Sequence, residues 1–113
     1  QRSAKAFNAK AKLTYQEGNA GLSNDSEGAE RCRKSVVKLF GEEAVSDYEG
    51  TLAGEDFSEY LDIVPGVFVF LGCPNPDVDA VYPQHSGYYT VDESVLKNGA
   101  ALAAQYAIDF LAE

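Results

Sequence analysis

Val64-Pro65-Gly66-Val67-Phe68-Val69-Phe70-Leu71-Gly72 is the stretch on which the fold turns. Val67 to Leu71 is an unbroken β-branched and aromatic run, which predicts a strand buried on both faces. Pro65-Gly66 stops the element before it. That element is a short helix with Phe57, Tyr60, Leu61 and Val64 on one side, entered through Gly54-Glu55-Asp56-Phe57. Gly72 to Tyr82, with Pro74, Pro76 and several polar residues, reads as a loop.

Outward from this strand, helical and strand patterns alternate, which predicts an α/β fold. After the loop, Thr90 and Glu93 form a capping box, and Asp92 adds favourable charge at a helix start. Val95-Leu96, Gly99-Ala100, Leu102-Ala103, Tyr106-Ala107 and Phe110-Leu111 then recur with helical period. The small residues Gly99, Ala100, Ala103, Ala104 and Ala107 let this helix lie close against a sheet. Before the strand, Asn24 stands three residues ahead of Glu27 as a capping-box-like start. Ala29, Cys32, Val36, Leu39 and Phe40 follow on an amphipathic stripe that ends at Gly41. Cys32 on that stripe is a packing residue. Val45 to Glu49 is a short strand candidate. Residues 2–9 read as the end of a helix, and residues 11–16 alternate as a half-exposed strand does. Glu17 to Ser26, rich in Gly, Asn and Ser, is the best boundary in the chain.

The 113 residues suffice for one domain and a modest core. Hydrophobic residues at 45% and charged residues at 24% are globular proportions. The net charge is -9, and nucleic acid is excluded as a partner because phosphate binding needs basic residues. The charge is uneven: residues 1–40 hold 8 basic and 4 acidic side chains, whereas residues 41–113 hold Lys97 against 14 acidic ones. This reads either as a solvated acidic face or as a rim complementary to a cation or basic partner. Cys32 and Cys73 are too few and too far apart for a disulfide framework or a zinc ribbon. No stretch resembles a membrane span or signal peptide, and no membrane partner is expected; the missing signal says little about location, for which the cytoplasm is the leading expectation. Gln1 in place of an initiator methionine suggests a fragment or processed product.

His85 is the sole histidine, in Tyr82-Pro83-Gln84-His85-Ser86-Gly87-Tyr88-Tyr89, between a loop and the capped helix. Loops at strand ends are where ligands bind in open α/β sheets. A neutral imidazole is a good zinc ligand, but a catalytic zinc usually takes three protein ligands. By itself His85 reads as structural or as one ligand. Glu55 and Asp56 at a helix start either complement the helix dipole or support a metal site and position substrate. No phosphate loop, HExxH helix or nucleophile–histidine pairing is present.

Three blocks stand in order: Ala53-Gly54-Glu55-Asp56-Phe57-Ser58-Glu59-Tyr60-Leu61, then Val64 to Gly72, then Tyr82-Pro83-Gln84-His85-Ser86 with Tyr89, Val91-Asp92-Glu93 and the alanine-rich helix. Together they resemble the C-terminal end of the amidohydrolase family that includes hippurate hydrolase, N-acyl-L-amino-acid amidohydrolase and the plant indole-acetyl-amino-acid hydrolases, with aminoacylases, zinc-type carboxypeptidases and succinyl-diaminopimelate desuccinylase as distant relatives. The resemblance is strong from residue 53 and weak before residue 24. It implies the C-terminal portion of a zinc-peptidase-like catalytic domain, a mixed sheet flanked by helices. It also implies that residues 1–17 are a remnant of the lid or dimerisation domain, that residues 24–113 belong to the catalytic domain, and that 18–23 cross between them. His85 matches the family's last metal ligand, on one of two divalent ions (zinc, manganese or cobalt). Glu55 and Asp56 lie near the family's active site. Gly87 departs from the proline common two residues after the histidine. The family's other ligands and its catalytic glutamate lie in a half of the domain not represented here.

The resemblance therefore implies part of a metal-dependent hydrolase of small N-acyl amino acids or peptides. The fragment alone is expected to be inactive, to hold metal weakly, to need the missing N-terminal half and to form homo-oligomers. The competing expectations are a non-catalytic interaction module lacking the metal site, and a dipeptidase or desuccinylase of the same superfamily.

Overall fold

The computed structural model describes residues 2–113; Gln1, the first residue of the expected lid remnant, lies outside them. Among the described residues there are four α-helices: α1 (Arg2–Ala6), α2 (Ser26–Phe40), α3 (Ser58–Leu61) and α4 (Leu96–Leu111). Short 3₁₀ turns stand at Glu42–Ala44, Pro76–Val78 and Glu93–Val95. Among the described residues no helix is long and apolar enough to cross a membrane.

The helices lie where their periodicity puts them, but two caps are shifted. Asp25, not Asn24, caps α2, its Oδ2 accepting from Gly28 N at 2.7 Å. Asn24 is spent elsewhere: its Nδ2 donates to Phe68 O at 2.9 Å and its Oδ1 accepts from Phe68 N at 2.7 Å. At the other end Asp92, not Thr90, accepts from Ser94 N and opens the 3₁₀ turn that feeds α4. Gly41 ends α2 at φ 90°, a conformation glycine reaches without Cβ strain.

The expected mixed sheet requires correction. Among the described residues no strand forms at 11–16, 45–49 or 67–71, and the one β-bridge joins Asn75 and Ala80. The physical reason is pairing: a strand exists through ladder hydrogen bonds to a neighbour, and no described segment supplies one. The 67–71 run still keeps a two-residue alternation. Val67 and Leu71 abut Gly28 of α2 and Gly99 of α4. Phe68 and Phe70 turn the other way, with ring centroids 5.3 Å apart, Phe57 at 5.6 Å from Phe68 and Tyr48 at 4.4 Å from Phe70. One face thus meets helices and the other carries aromatic rings.

Helices α2 and α4 form the principal packed pair. Their seam is polar. Arg31, Ser35 and Lys38, at spacings of four and three, face Tyr106, Asp109 and Glu113. Arg31 Nε donates to Glu113 Oε1 at 2.9 Å, Nη2 pairs with Oε2, and the guanidinium stacks 5.1 Å from the Phe110 centroid. Asp109 accepts from Ser35 Oγ at 2.8 Å, Lys38 Nζ at 2.9 Å and Gln105 Nε2 at 2.8 Å. Cys32 is buried at 7% exposure, as its stripe position predicts.

The apolar core is small. Cys32 and Ala80 are its buried hydrophobic residues, while twenty large hydrophobic side chains, from Phe7 to Leu111, are exposed. The accessible surface is 9675 Å², against about 6,100 Å² for a compact monomer of this mass. The radius of gyration is 20.2 Å, against about 13 Å for a compact domain of this length.

Candidate functional site

His85 sits on a turn built by its neighbours. Ser86 N donates to Pro83 O at 3.2 Å, which makes His85 the third residue of a four-residue turn. A second turn follows at once, with Tyr89 N donating to Ser86 O at 3.1 Å and Tyr88 N to Ser86 Oγ at 3.2 Å. The rings of Tyr82 and Tyr88 stand 5.5 Å apart across the pair of turns. His85 has φ 67°. Positive φ at the third position, with none at Gln84, is the pattern of a type II turn, where glycine or asparagine normally stands. A histidine there carries local strain of about 1 kcal/mol or more. The strain holds an exposed imidazole at the tip of the loop.

Glu55 and Asp56 stand at the mouth of α3. Glu55 Oε1 accepts from Phe57 N at 3.1 Å, and its carbonyl accepts from Ser58 Oγ at 3.1 Å, so this half-buried carboxylate shapes the helix entrance. Asp56 is exposed and contributes its carbonyl to Glu59 N at 3.0 Å.

Among the described residues no three His, Cys, Asp or Glu side chains converge on a point that could hold a metal ion. The structure therefore does not gather His85, Glu55 and Asp56 into one site. Two shallow clefts, of about 280 and 370 Å³, lie along Ser23–Gly66 and along the start of α2 beside Glu113, and none of the three residues lines either. The donor set fits one imidazole ligand and not a complete site, since a catalytic zinc takes three protein ligands.

The base of the His85 loop is held by a residue that sequence reasoning passed over. Asn75 pairs with Ala80 through both backbone groups, at 2.8 and 3.0 Å. Its Nδ2 donates to Asp92 Oδ2 at 2.7 Å, and its Oδ1 accepts from Asp77 N at 3.0 Å. Hydrogen bonds from Asn75 and Ser94 hold the Asp92 carboxyl below its ordinary range. The available signal was Asn75-Pro76-Asp77, an Asx turn with proline at its first helical position.

Comparison with known proteins gives these positions a context. The sequence pattern of Peptidase family M20/M25/M40 matches residues 8–109, which takes in all three blocks noted in the sequence. Thermostable carboxypeptidase 2 of Saccharolobus solfataricus is 46% identical over 76 residues, 66% of this chain and 19% of that protein. Thermostable carboxypeptidase 1 of the same organism is 44% identical over 76 residues, again 66% and 19%. An IAA-amino acid hydrolase of Arabidopsis thaliana is 32% identical over 90 residues, 80% of this chain and 20% of that protein. The chain thus spans about a fifth of the length of the curated relatives it matches. No solved structure matches it. The family expected from the three blocks is the family found, and the chain belongs to Peptidase family M20/M25/M40.

Proposed function

We propose that this chain is the C-terminal part of the catalytic domain of a metal-dependent hydrolase that cleaves amide bonds in N-acyl amino acids or peptides, and that His85 donates one imidazole to its metal site. The carrying observation is the positive φ of an exposed histidine at the tip of a doubly turned loop. Such strain persists where the position of the side chain matters more than local comfort. The names of the relatives, carboxypeptidase and IAA-amino acid hydrolase, support the substrate class.

Zinc, manganese and cobalt all accept imidazole, and two divalent ions would supply charge stabilisation at the scissile carbonyl. The chain's own residues present and support. His85 offers its imidazole from the loop, Glu55 fixes the entrance of α3, and Asp56 leaves its carboxylate toward solvent, where it is available to a ligand's neighbour or a substrate. The remaining ligands and the general base would come from a segment outside this chain, so the isolated chain is expected to be inactive. The same segment would pair with 67–71 and complete the mixed sheet, covering the aromatic face. The split into residues 1–17 and 24–113 is supported by α1, which packs on no other helix among the described residues. Two unpaired thiols suit a reducing compartment such as the cytoplasm.

The test is His85→Ala in the full-length polypeptide, scored by metal content and by hydrolysis of an N-acyl amino acid. Loss of an outer partner of a ligand costs ~10–100-fold, so loss of the ligand itself should cost at least that in both. Full activity with full metal content would remove His85 from the site. A second reading is an interaction module without metal, with which the lack of a converging ligand set among the described residues is compatible. A full-length polypeptide that binds no divalent ion would establish it.

A further inference from the structure

We propose that Asn75 is the positioning residue for His85: it closes the 81–91 loop at its base and so fixes where the imidazole is presented. The inference rests on the reading of His85 as a ligand, but its geometry stands apart from that reading. The loop leaves at Ala80 and returns at Asp92, and Asn75 holds both ends at once. Its backbone pairs with Ala80 at 2.8 and 3.0 Å, and Ala80 is 2% exposed, an anchored stem. Its amide nitrogen holds Asp92 Oδ2 at 2.7 Å. Cys73 O reinforces the return end by accepting from Asp92 N at 3.4 Å. Asp92 in turn caps the 3₁₀ turn that opens α4, through Ser94 N at 2.9 Å. The loop base is thereby joined to the start of the longest helix.

Between the two held ends, the internal hydrogen bonds of 81–91 are the short-range ones of its two turns. Those turns set the shape of the tip and do not set its direction relative to the rest of the molecule. That direction is set at the stem. A ligand must be placed within about 0.5 Å of its working geometry, and a loop free at one end does not meet that demand. Asparagine suits the position because it presents a donor to Asp92 and an acceptor to Asp77 from one amide. Aspartate there would face Asp92 across the same distance with like charge.

The test compares Asn75→Asp, Asn75→Ala and the exchange N75D/D92N in the full-length polypeptide. Two readouts are taken: amide hydrogen exchange of peptides covering 81–91, α2 and α4, and affinity for Zn²⁺ alone. Both single variants should speed exchange across 81–91 by at least about tenfold, leave α2 unchanged and weaken Zn²⁺ about 10–100-fold. N75D/D92N restores a donor opposite an acceptor and should recover most of both. Unchanged exchange in 81–91, or loosening spread equally over α2 and α4, would overturn the proposal. So would a double variant no better than Asn75→Asp. His85→Ala separates the two readings: if it leaves Zn²⁺ affinity intact while the Asn75 variants still free the loop, the ligand reading falls and the closure of the loop stands. If His85→Ala abolishes binding and the Asn75 variants change neither readout, the reverse holds.

Discussion

Gly28 is where three elements meet at one atom's distance. A Cβ placed there would lie 2.8 Å from Val67 Cγ2, 3.1 Å from Tyr106 Oη and 3.2 Å from Asp25 Oδ2. Alanine would ordinarily gain about 1 kcal/mol over glycine inside a helix. Here the contact with a stiff β-branched side chain outweighs it, because overpacking costs about 1–3 kcal/mol. Gly28→Ala should therefore lower the midpoint of urea unfolding and not raise it; a raised midpoint would show that Val67 moves aside freely. The same scale shows what the sequence discloses. Cys32 was legible as a packing residue because its stripe position needs only periodicity. The positive φ of His85 was not, because Pro83-Gln84-His85-Ser86 contains neither glycine nor asparagine to announce it. Asn75 was hidden for another reason: its partners, Ala80 and Asp92, are chosen by the folded loop and not by spacing.

At the level of elements, α2 and α4 were legible and the strands were half legible. A helix satisfies its own backbone, so its pattern is sufficient evidence. A strand satisfies a neighbour's, so the run at 67–71 disclosed its two faces and not its partner. The seam between α2 and α4 makes a pH dependence. Lys38 first, then Ser35 and Gln105, hold the Asp109 carboxyl below its ordinary range, and Arg31 does the same to Glu113. Both folded values lie below the unfolded ones. Their contribution is therefore complete above the unfolded carboxylate values, near 4, and is lost as pH falls below them through the lowered folded values. Thermal unfolding followed by circular dichroism should show stability falling below about pH 4. In Asp109→Asn the protein should be less stable at neutral pH, with a shallower acid limb. An acid limb identical to that of the parent protein would remove Asp109 from the linkage.

For the molecule as a whole, surface is the governing quantity. The chain exposes about 3,600 Å² more than a compact monomer of its mass, from 9675 Å² against about 6,100 Å². That excess is more than four times what one partner buries in a standard protein interface, about 800 Å². Twenty large hydrophobic side chains stand on that exposed surface, and bare apolar patches drive association. Light scattering on the purified 113-residue chain should accordingly report oligomers, and a monodisperse monomer would contradict the expectation. The side-chain clamp from Asn24 to Phe68 has a different consequence. Asn24-Asp25-Ser26 meets the acceptor pattern for N-linked sugar. A host that routes the protein through its secretory pathway would attach a glycan to the same nitrogen that donates to Phe68 O, leaving that nitrogen a single N–H and crowding the clamp on the 67–71 run. Bacterial cytoplasmic expression avoids that modification. In a eukaryotic secretion host, Ser26→Ala removes the acceptor signal and leaves the Asn24 amide in place.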